Sequence, residues 1–164
     1  MQNNRNLLTI FGAFFIPLAL FLSLFSHPVF AQSVSPVGYW KTIDDVTGTP
    51  RSIVQIWDSN GQIQGRLVRI NFRQGEYPTD LCVKCAPPLN TQRILGMTIL
   101  WGMTYVGNNT WSNGQILDPK IGKVYRCKIY LSQDGKSMEV RGYIGISLFG
   151  RSQNWYRVNS PKAL

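Results

Sequence analysis

From residue 38 onward, apolar and polar positions alternate with period two in short runs separated by turn residues, the pattern of strands with one buried face. Residues 38–41 start the first run, and Asp44-Asp45-Val46-Thr47-Gly48-Thr49-Pro50 ends it with turn formers. Residues 52–57 read as a second strand. Asp58-Ser59-Asn60-Gly61 is a hairpin signal, and residues 62–72 return as a third strand whose Gly65 suggests a bulge. Residues 94–103 are apolar and are read mostly as strand. Residues 111–117 and 123–132 follow, parted by Asp118-Pro119-Lys120-Ile121-Gly122. In the second of these, Tyr125, Cys127, Ile129 and Leu131 share one face, with Arg126, Lys128 and Tyr130 on the other. Gln133-Asp134-Gly135-Lys136 predicts the next hairpin, leading into residues 137–143.

The last patterned stretch, residues 141–157, demands a partner. Gly142, Gly145 and Gly150 punctuate an apolar run of Tyr143, Ile144, Ile146, Leu148 and Phe149, which predicts two strands bent around glycines where side chains would crowd. The second then alternates, with Arg151, Gln153, Trp155 and Arg157 on one face and Ser152, Asn154, Tyr156 and Val158 on the other. Left at an open edge, such a strand would template aggregation; pairing with the first strand closes the sheet. About eight short strands with meander-like turns and no long helix predict an all-β fold, an up-and-down antiparallel barrel.

One segment breaks the rhythm. Residues 73–93 hold Gly75, Pro78, Pro87 and Pro88 around Cys82-Val83-Lys84-Cys85, and their length marks a lid, a binding loop or a stapled Ω-loop.

The N-terminus follows a different pattern. Arg5 precedes an apolar run over residues 7–25, and Val29-Phe30-Ala31 ends in a small residue, which reads as a signal peptide over 1–31 cleaved after Ala31. An uncleaved membrane anchor is the alternative, since the run nears the length of a bilayer span. Export to the periplasm or beyond leaves a single domain over 32–164. Loss of Arg5 takes the net charge from +9 to +8. The basic residues are scattered singly along alternating strands, so nucleic acid is not expected as a partner, while peripheral contact with an anionic membrane or another envelope component is a candidate.

His27, the sole histidine, leaves with the leader. That removes Ser-His-Asp and Cys-His catalysis and His-based metal sites; no cofactor is expected and no catalytic set is found. Cys82 and Cys85 admit three readings: a structural disulfide, a redox pair or half a zinc site. An oxidising compartment, the absence of a helix N-terminus and the lack of further ligands favour the disulfide. Cys127, on an apolar face, reads as a buried thiol, with a bridge to Cys82 or Cys85 as the alternative. Asp44-Asp45 and Asp118 read as turn formers rather than as a general acid and base. Five tryptophans, at 40, 57, 101, 111 and 155, suit a filled barrel as well as a ligand wall.

Gly38-x-Trp40 resembles the lipocalin opening motif, whose Trp packs across the closed barrel end beneath a basic residue of the last strand, a role open here to Arg157 or Arg151. More specifically, GYWKTIDD, the CVKC loop, ILDPKIGKVYRCK and RGYIGISLFGRSQNWYR resemble the bacterial exported family called domain of unknown function 2147. That resemblance implies a lipocalin-like (calycin) barrel in the envelope of a Gram-negative bacterium and carries no established activity.

The expected function is therefore a non-enzymatic binder of one small apolar or anionic amphiphilic ligand, with residues 73–93 near the mouth. Tyr125, Ile129, Leu131 and Gln153 are the candidate ligand-facing residues, and Arg and Gln of the 151–157 face the candidate anchors. The alternative is an envelope interaction protein with a solid barrel and a basic surface.

Overall fold

The computed structural model describes residues 34–164. The expected signal peptide, with His27 and its expected cleavage site after Ala31, lies outside the described residues. Eight strands follow one another: β1 (Gly38–Ile43), β2 (Pro50–Ser59), β3 (Gln62–Ile70), β4 (Thr98–Gly107), β5 (Thr110–Asp118), β6 (Lys123–Leu131), β7 (Ser137–Tyr143) and β8 (Gly150–Val158). Each pairs antiparallel with its sequence neighbour, and β8 pairs with β1, which closes an up-and-down barrel. Closure leaves no strand edge unpaired within the ring. At the seam Trp40 stands opposite Arg157 and Thr42 opposite Trp155.

Up-and-down order sorts the connections into two groups. The β1–β2, β3–β4, β5–β6 and β7–β8 connections gather at one end, the mouth. The remaining turns lie at the base, together with the segment that precedes β1.

The base is packed solid. Trp40, Ile56, Leu100, Met103, Ile129 and Met138 are at most 1% exposed. The Trp40 indole N–H donates to the Pro36 carbonyl at 2.7 Å, and the Arg157 guanidinium carbon sits 4.4 Å from the Trp40 ring centroid. The same guanidinium donates to the Gly135, Val37 and Ser35 carbonyls at 2.6, 2.8 and 2.6 Å. Burial lowers the Arg157 pKa from its ordinary value. Gly38 passes this group with φ +140°, where a Cβ would lie 2.7 Å from Nη1, so any other residue would strain the backbone and push against the guanidinium.

Two expected boundaries differ. β4 starts at Thr98 rather than at Ile94, because Gly96 adopts φ +92° and breaks the extended run. The strand then continues past Met103 to Gly107. The apolar run after Tyr143 also leaves the sheet. Gly145 turns the chain at φ +71°, residues 147–149 form a 3-10 turn, and Ile144, Ile146, Leu148 and Phe149 are exposed rather than buried in strands. Gly65 lies at a register irregularity between β3 and β4.

The base generates a stability prediction. Trp40→Ala should cost about 3–5 kcal/mol through lost burial and a residual cavity. Arg157→Ala should cost less, about 1–2 kcal/mol, because it removes the cation over the ring and the links to the chain segments around it. Chemical denaturation of both single variants and the double variant should show coupling of about 0.5 kcal/mol or more; simple additivity would mean that the two side chains do not act as one seal.

Candidate functional site

Along three strands the inward side chains shrink from base to mouth. On β1 Trp40 gives way to Thr42, on β2 Ile56 and Val54 give way to Ser52, and on β7 Met138 and Val140 give way to Gly142. The result is a cavity of about 930 Å³ in the upper half of the barrel, reached through the mouth. Its wall is chiefly apolar, with Leu67, Ile70, Ile99, Ile116 and Val140 contributing, and Trp155 lies near its floor.

Gly142 belongs to this wall and departs from expectation. The nearest atoms to a Cβ built there are Ile116 Cγ2 and Tyr125 Cβ, each at 3.5 Å, which is ordinary contact rather than crowding. Its missing side chain leaves space open. Crowding applies instead at Gly150, where a Cβ would sit 2.8 Å from the Gly142 carbonyl oxygen.

The mouth is built from loops braced against one another. Arg51 of β2 holds Glu76 through two hydrogen bonds of 2.8 and 3.0 Å, Arg73 pairs with Asp44, and Arg151 pairs with Asp45. Burial alone would raise the Glu76 pKa; the Arg51 hydrogen bonds, the Arg73 backbone N–H and the charge of both arginines outweigh it and hold the carboxyl below its ordinary value. Cys82 and Cys85 are bridged, with Cα atoms 5.3 Å apart, and the Cys82 sulfur lies 3.4 Å from the Pro119 carbonyl oxygen. The bridged loop thus rests on the β5–β6 turn. The approach is so close at Gly122, φ +72°, that any Cβ would overlap the Lys84 carbonyl.

The expected site residues separate into two groups by height. Tyr125 and Gln153 line the cavity. Ile129 and Leu131 do not, although they share the Tyr125 face: β6 runs from mouth to base, so its last inward residues are buried in the packed half at 0% and 5% exposure. The anchors also divide. Arg157 belongs to the base. Arg151 reaches the mouth rather than Trp40, and its partner there is Asp45. The Gln153 amide is already committed, donating to the Ile43 carbonyl at 3.0 Å and accepting from the Trp155 indole N–H at 2.7 Å. Cys127, on the inward face of β6, is buried, and burial pushes its thiol up to about 12.

Three features of the site escaped the sequence reading: the space at Gly142, the Arg51–Glu76 clamp, and the two lysines at the rim. Lys84 and Lys120 line the mouth, are exposed, and have no carboxylate partner among the described residues, where the ion pairs are those of Arg51, Arg73 and Arg151. The shrinking series on β1, β2 and β7 was the available signal for the cavity; the clamp joins residues 25 positions apart and left none. Among the described residues no group of three or more His, Cys, Asp or Glu side chains gathers as metal ligands.

None of the curated proteins matches the chain. Among solved structures, protein HP1028 from the human pathogen Helicobacter pylori, described as belonging to the lipocalin family, is similar with a TM-score of 0.67. The likeness covers 77% of this chain and 85% of that one at 19% sequence identity, and it concerns the fold. The model of the family described as "Uncharacterized protein conserved in bacteria (DUF2147)" matches residues 38–157, from the opening of β1 to the arginine that covers Trp40, and the chain therefore belongs to that family.

Proposed function

We propose that this chain is exported and that its barrel binds one small, largely apolar ligand without transforming it. The observation that carries the reading is the open half of the barrel, about 930 Å³ walled chiefly by aliphatic side chains. Small-molecule sites span about 300–1,000 Å³ and pair an apolar wall with a few fixed polar groups. A barrel filled by side chains describes the base alone.

An acyl chain with an anionic head is the ligand class that fits best. Its tail would occupy the apolar wall, and its head would lie at the mouth beside Lys84 and Lys120. These lysines replace Arg151, Gln153 and Arg157 as the proposed anchors, because those three already have partners. Asp80 and Asp118 also line this end, but each accepts a backbone N–H of its own turn, from Tyr77 and Lys120 respectively, and both are less exposed than the lysines.

Displacement of a fluorescent fatty acid tests the reading. Saturable binding near the micromolar level, about −8 kcal/mol, is expected. Gly142→Leu should abolish it without loss of stability, because the new side chain has room to enter the cavity and a strand interior favours it over glycine. Lys84→Ala with Lys120→Ala should weaken a fatty acid several-fold and leave the corresponding fatty alcohol unchanged. Undiminished binding by Gly142→Leu would place the ligand elsewhere and end the proposal.

Export has its own test. Intact-mass analysis of the periplasmic fraction should show a chain that starts at Gln32, and recovery of the full-length chain in the membrane fraction would favour the anchor instead.

A further inference from the structure

The exposed apolar side chains are distributed unevenly over the barrel. Among the described residues, those at least 60% exposed all lie on connections at the mouth. Val46, at 88%, stands on the β1–β2 connection; Tyr77 and Val83 stand on the 73–93 segment; and Ile144, Ile146, Leu148 and Phe149 form most of the β7–β8 connection. At the base the most exposed large apolar side chain is Tyr105, at 57%. Single exposed apolar residues need no explanation, but a cluster that rims one opening does.

The β7–β8 connection is held in this display. The Arg141 guanidinium donates to the Ser147 and Leu148 carbonyls at 2.8 and 3.1 Å and to the Ser152 hydroxyl at 2.8 Å, which ties the loop to both strands beneath it. Leu148 and Phe149, 76% and 77% exposed, therefore project from a fixed backbone. The same mouth carries the two lysines without carboxylate partners and Arg151, itself largely exposed beyond its contact with Asp45.

From this we infer that the mouth docks on an anionic lipid surface, with the Ile146–Leu148 tip inserted among the headgroups and Lys84 and Lys120 against lipid phosphates. The inference deepens the ligand-binding reading and rests on it, since a mouth seated on a leaflet would take an amphiphile directly from it. Two observations choose lipid over a second copy of the chain. The apolar groups come from separate loops around an aperture, an arrangement that a fluid surface can accommodate, rather than from one flat face. A mouth-to-mouth pair would also set Lys84 and Lys120 near their own copies, whereas anionic headgroups complement them.

The experiment uses the full chain expressed with its leader and recovered after export. Wild type is sedimented with phosphatidylcholine vesicles with and without phosphatidylglycerol, beside Ile146→Asp/Leu148→Asp, whose two positions do not line the cavity. Wild type should bind the phosphatidylglycerol vesicles more tightly, and less so as salt rises. The double variant should bind them about tenfold or more weakly, since two apolar insertions are lost, while displacing fluorescent fatty acid in solution as wild type does. Retained fatty-acid binding also shows that the variant is folded. Fatty-acid binding by a wild type that ignores vesicles overturns the docking and leaves the ligand reading standing. Vesicle binding without fatty-acid binding supports the docking and removes the ligand reading. Equal vesicle binding by the double variant overturns the inference, as does a wild-type dimer, blind to vesicles, that the substitutions convert to monomer.

Discussion

The contact between the Arg157 guanidinium and the face of Trp40 is the constraint on which the barrel depends. It joins the first strand to the last across the seam. Through three hydrogen bonds to the carbonyls of Ser35, Val37 and Gly135 it also ties the seam to the chain before β1 and to the β6–β7 turn. Guanidinium suits the position because it is planar, always charged and rich in donors, so it can lie on a ring and bond to several carbonyls at once. Lysine offers a point charge without that fork. The indole below is equally committed through its N–H to Pro36, so the group that is taken from water here is fully hydrogen-bonded.

With one end sealed, the volume of the barrel is partitioned by side-chain size. Trp40, Met103 and Met138 fill the base, while Thr42, Ser52 and Gly142 leave the other half open. An eight-stranded ring is just wide enough either to be filled or to admit one small ligand. In this chain one half is filled by side chains and the other leaves a cavity of about 930 Å³. The buried Thr42–Ser52 hydroxyl pair, 2.8 Å apart, puts a satisfied polar group on an otherwise apolar stretch of wall.

The mouth combines two kinds of interaction with different consequences. Ion pairs at or near the surface contribute little to stability, typically about 0–1 kcal/mol each. Here their value is positional: Arg51–Glu76, Arg73–Asp44 and Arg151–Asp45 connect β2, the 73–93 segment, the β1–β2 connection and β8 into one rim. The Cys82–Cys85 bridge closes a ring too small to constrain the unfolded chain much, and shapes the surface that sits on Gly122 instead. Onto this frame the chain hangs apolar side chains that a solitary soluble surface does not need.

The sequence by itself determined the faces of the strands and the closure of the ring. Period-two alternation decides which side of a strand is buried; it assigned Trp155 and Arg157 to one face and Cys127, Ile129 and Leu131 to another inward set, and the turn signals ordered the strands into a meander. Height along the barrel axis is a different quantity. Ile129 and Tyr125 share a face, yet only Tyr125 reaches the cavity, because height depends on strand direction and on how far neighbouring side chains fill the space, and both are settled by the closed ring. The same limit explains the 144–149 run, whose apolar composition resembles a buried strand. Gly145 and the Arg141 hydrogen bonds turn it outward, and the contact between Arg141 and the Ser147 and Leu148 carbonyls exists only once β7 and the following connection are folded together. At Gly142, likewise, the residue type is visible in the sequence, but the empty space beside it is a property of Ile116 and Tyr125 on other strands, which only tertiary structure brings near.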